Sequence, residues 1–88
     1  MDLDKFTHCY DALPAGYSEG HFRGRRYSVR KQISGDGKRG NLVANELGSN
    51  DYISLNFYRL KGGKTSLKPC EMPEEKVIEF VIEFAPEI

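Results

Sequence analysis

The side chains in this chain that could do chemistry are two histidines and two cysteines, His8, Cys9, His21 and Cys70. Their number suits a tetrahedral zinc site, but no Cys-x-x-Cys or His-x-x-x-His spacing organises them. The adjacent His8 and Cys9 project in different directions on a helix, so they do not form the thiol–imidazole pair of a thiol enzyme. We therefore expect no metal, with Cys9 and Cys70 as packing residues whose thiols stay reduced.

The segment Gly35-Asp36-Gly37-Lys38 is superficially similar to a phosphate-binding loop. It lacks the Ser or Thr that follows the lysine in that motif, and the next segment has a strand pattern where the motif requires a helix. Asp36 and Asp51 both lie in predicted turns, where carboxylates commonly accept hydrogen bonds from the local backbone. No catalytic set emerges from the sequence, which predicts a non-enzymatic protein without a cofactor.

Charge is distributed unevenly, although thirteen basic residues balance thirteen acidic ones over the whole chain. Residues 1–20 carry a net charge of −3, residues 21–40 carry +6, residues 41–70 carry +2 and residues 71–88 carry −5. The chain therefore has a basic middle and acidic ends. Such a pattern fits a polyanion-binding surface or charge-driven self-association, and it also fits two ordinary solvated faces of opposite sign.

Length bounds the architecture, because 88 residues with 39% hydrophobic content ordinarily form one domain around one core. We expect a single domain over residues 1–88. No apolar run reaches the ~18 residues of a membrane span, and no signal-peptide core is present. The sequence thus predicts a soluble, cytoplasmic protein that does not enter a membrane.

Residues 1–24 are expected to form a short helix followed by an irregular segment. Leu3, Phe6, Tyr10 and Leu13 recur at helical spacing behind Asp2, a candidate N-cap, and a proline follows at position 14. The glycine-rich stretch 15–24 fits either a loop or an irregular edge strand.

Residues 25–71 have the pattern of an antiparallel sheet. Residues 25–33, 41–47, 52–58 and 65–70 each fit a strand, and turns rich in glycine, asparagine and aspartate separate them. On the first strand Lys31 interrupts the apolar side, which predicts that this end of the strand lies at a rim. Four strands with three short reversals predict a meander.

Residues 72–86 are predicted to form a helix. Pro73, Glu74 and Glu75 are typical of a helix start, and the unit Val-Ile-Glu-Phe then repeats every four residues up to Phe84. Read with a period of two, the same residues fit a strand, but the start signal favours the helix. The apolar positions cover about half the helix circumference. The surplus should pack against the N-terminal segment or against the same helix of a second chain, which would make a homodimer.

Alternation along the strands predicts one polar sheet face opposite that helix. Basic groups on it can pair with phosphates, and tyrosine rings can stack with unpaired bases at about 1–3 kcal/mol per base. The same residue types are also ordinary on a solvent-facing sheet. The predicted nucleic-acid-binding residues, with the cationic hairpin tips, are Arg26, Arg30, Lys38, Arg39, Tyr52, Asn56, Tyr58 and Lys68.

The order of four strands and then one helix, with a basic sheet, resembles the Whirly-like and transcriptional-coactivator proteins that bind single-stranded DNA. The likeness covers residues 25–85 and includes residues 63–69 running into the helix led by Pro73. It implies that sheets from two copies form a curved platform for unpaired strands, and hence a homodimer. The chain departs from that pattern in having no overall positive charge, no tryptophan and an additional acidic N-terminal segment.

The sequence therefore predicts an α+β fold, a four-stranded antiparallel β-meander with a C-terminal helix packed on one face and a short N-terminal helix. The predicted function is non-enzymatic binding of single-stranded DNA or RNA through the basic, tyrosine-bearing sheet face. An alternative is a protein-interaction or self-association module. A small enzyme would become the better hypothesis if His8, His21 or Cys70 converged in a deep pocket.

Overall fold

The computed structural model describes residues 3–87, so the predicted N-cap Asp2 lies outside the described residues. Within these described residues, two α-helices, six strands and one 3-10 turn follow each other. In order they are α1 (Leu3–Ala12), β1 (Gly16–Phe22), β2 (Arg25–Ile33), β3 (Arg39–Glu46), β4 (Tyr52–Arg59), the 3-10 turn Lys61–Gly63, β5 (Thr65–Pro69), α2 (Glu74–Glu83) and β6 (Ala85–Pro86).

The strands form one open antiparallel sheet in the order β5-β4-β3-β2-β1-β6. The α+β class and the predicted meander of β2 to β5 are confirmed, but the prediction of only four strands is wrong. The stretch expected to be irregular contains β1, which pairs along its whole length with β2. The chain after α2 returns as β6 and pairs with Gly20 and His21 of β1. The sheet therefore extends beyond residues 25–71 at both ends.

Both helices cover the same face of the sheet, and the core lies between them and that face. The strands bury every second residue there, as the apolar alternation predicts. Phe57 contacts the rings of Phe6 and Tyr10 from α1 at centroid distances of 5.6 and 4.9 Å. Phe80 of α2 contacts the ring of Tyr27 at 5.1 Å. No helix of residues 3–87 lies on the opposite face of the sheet.

The repeated Val-Ile-Glu-Phe unit forms α2, so the helical interpretation is confirmed over the strand alternative. Its apolar positions Val77, Ile78, Phe80 and Val81 are all buried within the chain. α2 packs against α1 as well as against β4 and β5. The surplus apolar strip therefore meets the N-terminal segment, the first of the two alternatives. Dimerisation through α2 stays a prediction, and the strip that motivated it is covered by α1.

The prediction that Lys31 lies at a rim is wrong, because this side chain is only 3% exposed. Its ammonium group donates hydrogen bonds to the carbonyl oxygens of Tyr10 and Leu13, at 2.5 and 2.9 Å, and lies 4.4 Å from the centre of the Tyr10 ring. Both carbonyls lie at the C-terminal end of α1, where the next helical turn is missing. The Tyr10 carbonyl also accepts a hydrogen bond from the Leu13 N–H at 3.2 Å. Lys31 therefore satisfies the C-terminal end of α1 from beneath, where a positive charge also suits the helix dipole.

A partly buried ion pair joins the sheet to α2. Asp51, in the β3–β4 turn, accepts hydrogen bonds from the Lys76 ammonium at 2.8 Å and from the Tyr27 hydroxyl at 2.7 Å. The bond from Lys76 and then that from Tyr27 lower the pKa of the Asp51 carboxyl. Both bonds favour the ionised form, so Asp51 couples the stability of the fold to pH.

We expect Asp51→Asn to lower the free energy of unfolding at pH 7 by about 1 kcal/mol, because the charge-assisted bonds are lost while the site stays partly solvated. A lowered carboxyl pKa gives stability that is fully present above the unfolded value and is lost as the pH falls through the folded value. Urea titrations should therefore show the two proteins converging below about pH 4. A difference that persists undiminished in acid would contradict this assignment.

Candidate nucleic-acid interface

The pairing register places the predicted binding residues on the sheet face that the helices leave open. Arg30 of β2 pairs with Val43 of β3, which in turn pairs with Ser54 of β4. In the same way, Gln32 pairs with Asn41, and Asn41 pairs with Asn56. Asn56 in turn faces Lys68 of β5. We call this surface the open face. Its members on β2 to β5 are Arg26, Ser28, Arg30, Gln32, Arg39, Asn41, Val43, Asn45, Tyr52, Ser54, Asn56, Tyr58, Ser66 and Lys68.

Seven of the eight predicted site residues lie on the open face, and Lys38 lies in the loop beside it. Arg39 faces Tyr58, and Tyr58 faces Ser66. Arg30 and Tyr58 therefore point to the same side of the sheet. Alternation along each strand explains this grouping, because residues two apart share a face and each short reversal keeps neighbouring strands in register.

The arginines of the open face differ in their availability. Arg26 donates to Glu19 at 2.6 Å and to Glu87 at 3.2 Å, so its charge is compensated by two carboxylates. Within residues 3–87, Arg30 and Arg39 make no side-chain hydrogen bond or ion pair, and the same holds for Lys68. Among the four cations of the open face, these three are free to meet an anion.

Lys38 lies next to a turn that is held by its own carboxylate. Asp36 accepts hydrogen bonds from the Ser34 hydroxyl at 2.6 Å and from the backbone N–H of Lys38 at 3.0 Å. These two bonds lower the pKa of Asp36 and keep it ionised. Asp36 thus acts as a turn residue, as the sequence indicates, and it reduces the positive field around Lys38.

Three of the five tyrosines lie on the uncovered side of the sheet. Tyr52 is 43% exposed and Tyr58 is partly buried, so both offer ring surface to solvent. Tyr17 of β1, which faces Arg30, was not among the predicted residues although it is 58% exposed. Its hydroxyl donates to Glu19 at 2.6 Å, and this bond raises the pKa of Tyr17. Tyr10 and Tyr27 lie on the covered side in the core.

Two depressions interrupt the open face. The larger, an open depression of about 640 Å³, is lined by Gln32, Ser34, Arg39, Asn41, Asn56 and Tyr58 among others. The smaller, of about 270 Å³, includes Tyr17, Ser28, Arg30, Val43 and Asn45. The larger depression therefore combines the predicted site residues Arg39, Asn56 and Tyr58 with two amides, Gln32 and Asn41, that were not predicted as site residues. Strand parity alone could have found both amides.

The outward side of α2 is acidic, in contrast to the open face. Glu75, Glu79 and Glu83 are exposed there. Arg23, in the turn between β1 and β2, pairs with Glu79 at 3.2 Å and with Glu83 at 2.8 Å. The bond with Arg23 lowers the pKa of Glu83. The two sides of the molecule thus carry opposite charge, as the segment charges predict.

The histidines and cysteines do not converge. His8 lies on α1, on the covered side of the sheet, while His21 lies on β1 and contacts Glu87 at 3.8 Å. Cys70 follows β5, which three strands separate from β1, and its sulfur accepts a hydrogen bond from Asn56. Both cysteines are free thiols, and no three His, Cys, Asp or Glu side chains within residues 3–87 are grouped to hold a metal ion.

Neither helix in the described part of the chain is long and apolar enough to cross a membrane. No protein-family model matches the chain, and neither a curated protein nor a solved structure is significantly similar to it.

Proposed function

We propose that this chain is a non-enzymatic protein that binds single-stranded DNA or RNA through its open face. The observation that carries the proposal is the convergence of unpaired cations, tyrosine rings and amides on the one sheet surface without a helix. Arg30, Arg39 and Lys68 would pair with backbone phosphates, with Lys38 extending the positive field. Tyr52 and Tyr58 would stack with unpaired bases. Arg26 would contribute only if a phosphate replaced Glu19 and Glu87.

A single strand suits this surface better than a duplex. A sheet face presents ring planes and short polar side chains over a broad area, and unpaired bases can lie flat on such a platform. Neither α1 nor α2 lies on this side, so the open face has no helix to place in a duplex groove.

Tyr58→Ala is expected to weaken binding of a fluorescein-labelled oligonucleotide about tenfold, because one stacking contact is lost. Fluorescence anisotropy at low salt measures the affinity, and circular dichroism checks that the fold survives. His8→Ala is the matched control, since His8 lies on the covered side and should leave the affinity unchanged. Equal affinities for Tyr58→Ala and wild type would contradict the stacking role.

Arg30→Gln should reduce the salt dependence of the same binding. Each phosphate contact on a single strand contributes about 0.7 to the slope of log affinity against log salt concentration. The variant should therefore bind with a slope lower by about that amount. An unchanged slope would remove Arg30 from the phosphate contacts.

A second candidate function is protein interaction, including self-association, and the opposite charges of the open face and the outward side of α2 favour it. The basic open face of one copy could pack against the acidic outward side of α2 in a second copy, because electrostatic complementarity favours that arrangement. Light scattering at low and high salt tests this directly. A larger mass at low salt together with no oligonucleotide binding would favour this function over the first.

A further inference from the structure

The larger depression of the open face combines side-chain groups that can recognise the edge of a base. Gln32, Asn41 and Asn56 lie side by side across β2, β3 and β4 in one register row. Arg39 and Tyr58 face each other in the next row and complete the lining. The depression thus has amides on one side, and a ring and a cation on the other.

The amides are free to bind. Within residues 3–87, the side chains of Gln32 and Asn41 make no hydrogen bond, and neither do the Tyr58 hydroxyl and the Arg39 guanidinium. Asn56 differs, because its amide nitrogen donates to the Cys70 sulfur at 3.7 Å and is held in place by that contact. Two unfilled amides therefore lie next to one that is already positioned.

We propose that this depression is a subsite that selects adenine in a bound single strand, an inference that rests on the proposed function. An amide offers one donor and one acceptor side by side, and adenine presents the complementary acceptor and donor on its edge. Gln32 and Asn41 supply such pairs, the Tyr58 ring supplies the stacking surface, and Arg39 holds the neighbouring phosphate. The smaller depression has the single amide Asn45 beside Arg30 and Val43, so it contributes affinity without selecting a base.

The test uses a short labelled oligo(dT) with one central nucleotide replaced by dA, dG or dC. Anisotropy titrations compare the wild type with the double variant Gln32→Ala/Asn41→Ala. Asn45→Ala is the matched control, because Asn45 lies on the same strand and the same face as Asn41 but outside the larger depression. Circular dichroism melting verifies that all three proteins are folded under the titration conditions.

The wild type and Asn45→Ala should bind the oligonucleotide containing dA about tenfold more tightly than oligo(dT), as one bidentate contact allows. The double variant should bind the oligonucleotide containing dA no more tightly than oligo(dT), and it should keep the salt slope of the wild type because the cations are unchanged. A preference for dG or dC, equal affinity for all four, or a dA preference that survives in the double variant would overturn the subsite. Absence of binding to every oligonucleotide would instead overturn the proposed function.

Discussion

Lys31→Ala is expected to lower the free energy of unfolding by about 3–5 kcal/mol. The truncation removes a buried aliphatic stem and the ammonium that donates to the carbonyl oxygens of Tyr10 and Leu13. The Tyr10 carbonyl keeps the Leu13 N–H as a donor, whereas the Leu13 carbonyl loses its partner. Burial lowers the pKa of the Lys31 ammonium, which means that keeping this group charged in the folded protein costs free energy. We expect the lost packing, the orphaned Leu13 carbonyl and the weakened satisfaction of the Tyr10 carbonyl to outweigh the relief of that cost.

Urea titration with circular dichroism measures this effect, and two further variants separate its parts. Lys31→Met keeps the stem but removes the donors, and should destabilise less than alanine does. Arg30→Ala is the matched control, since the neighbouring side chain points to the open face without a partner and should change stability by less than about 0.5 kcal/mol. Equal stabilities for Lys31→Ala and Arg30→Ala would show that Lys31 does not secure α1.

Gly20→Ala is expected to destabilise the protein by about 3 kcal/mol, because there is no room for a side chain at this position. A β-carbon on Gly20 would lie 2.6 Å from the Phe84 ring and 2.7 Å from the Pro86 backbone, and it would also collide with the Ala85 carbonyl oxygen. The chain after α2 lies directly on β1 here. Either β6 detaches or the Phe84 ring leaves the core.

Gly35→Ala is the matched control for this substitution. Gly35 lies in the β2–β3 loop, its φ is not positive, and a β-carbon there would meet no atom within 4 Å. Its stability should equal that of the wild type or exceed it slightly, since alanine restricts the unfolded chain. Thermal unfolding of both variants makes the comparison. A Gly20→Ala protein as stable as Gly35→Ala would contradict the packing of β6 and Phe84 on β1.

Alternation and turn chemistry predicted the central part of the fold. β2, β3 and β4 bury alternate residues. The reversals at Asp36-Gly37 and Gly62-Gly63 use positive φ at the glycines. For residues 15–24 the sequence fitted a loop or an irregular edge strand, and it did not decide between them. The turn that follows β1, Arg23-Gly24, gives no clear hairpin signal, because it places a non-glycine residue at φ 51°. The ion pairs of Arg23 with Glu79 and Glu83 hold that turn, and they connect residues more than fifty positions apart. β6 is two residues long, too short to have a period.

Strand parity also predicted which residues share the open face, but it could not predict their partners. Arg26 has the same parity as Arg30, yet Glu87 reaches it only because β6 lies beside β1. Because Lys31 interrupts an apolar pattern, the sequence indicated that it lies at the rim of the sheet. In the structure α1 ends above Lys31, and the carbonyls at that helix end accept hydrogen bonds from its ammonium group. Contacts between segments that are distant in sequence determine both the pairing of Arg26 and the burial of Lys31, and a local sequence pattern does not predict such contacts.

The most direct test of the open face as the binding surface is an NMR titration with a short oligonucleotide. The chain has five side-chain amides, four on the open face and the fifth, Asn50, in the β3–β4 turn. Addition of oligonucleotide at low salt should shift the amide signals of Gln32, Asn41 and Asn56 and the ring signals of Tyr52 and Tyr58. The signals of Asn50, His8 and the buried Tyr10 should stay in place. Shifts confined to the helices, or no shifts at all, would contradict the account.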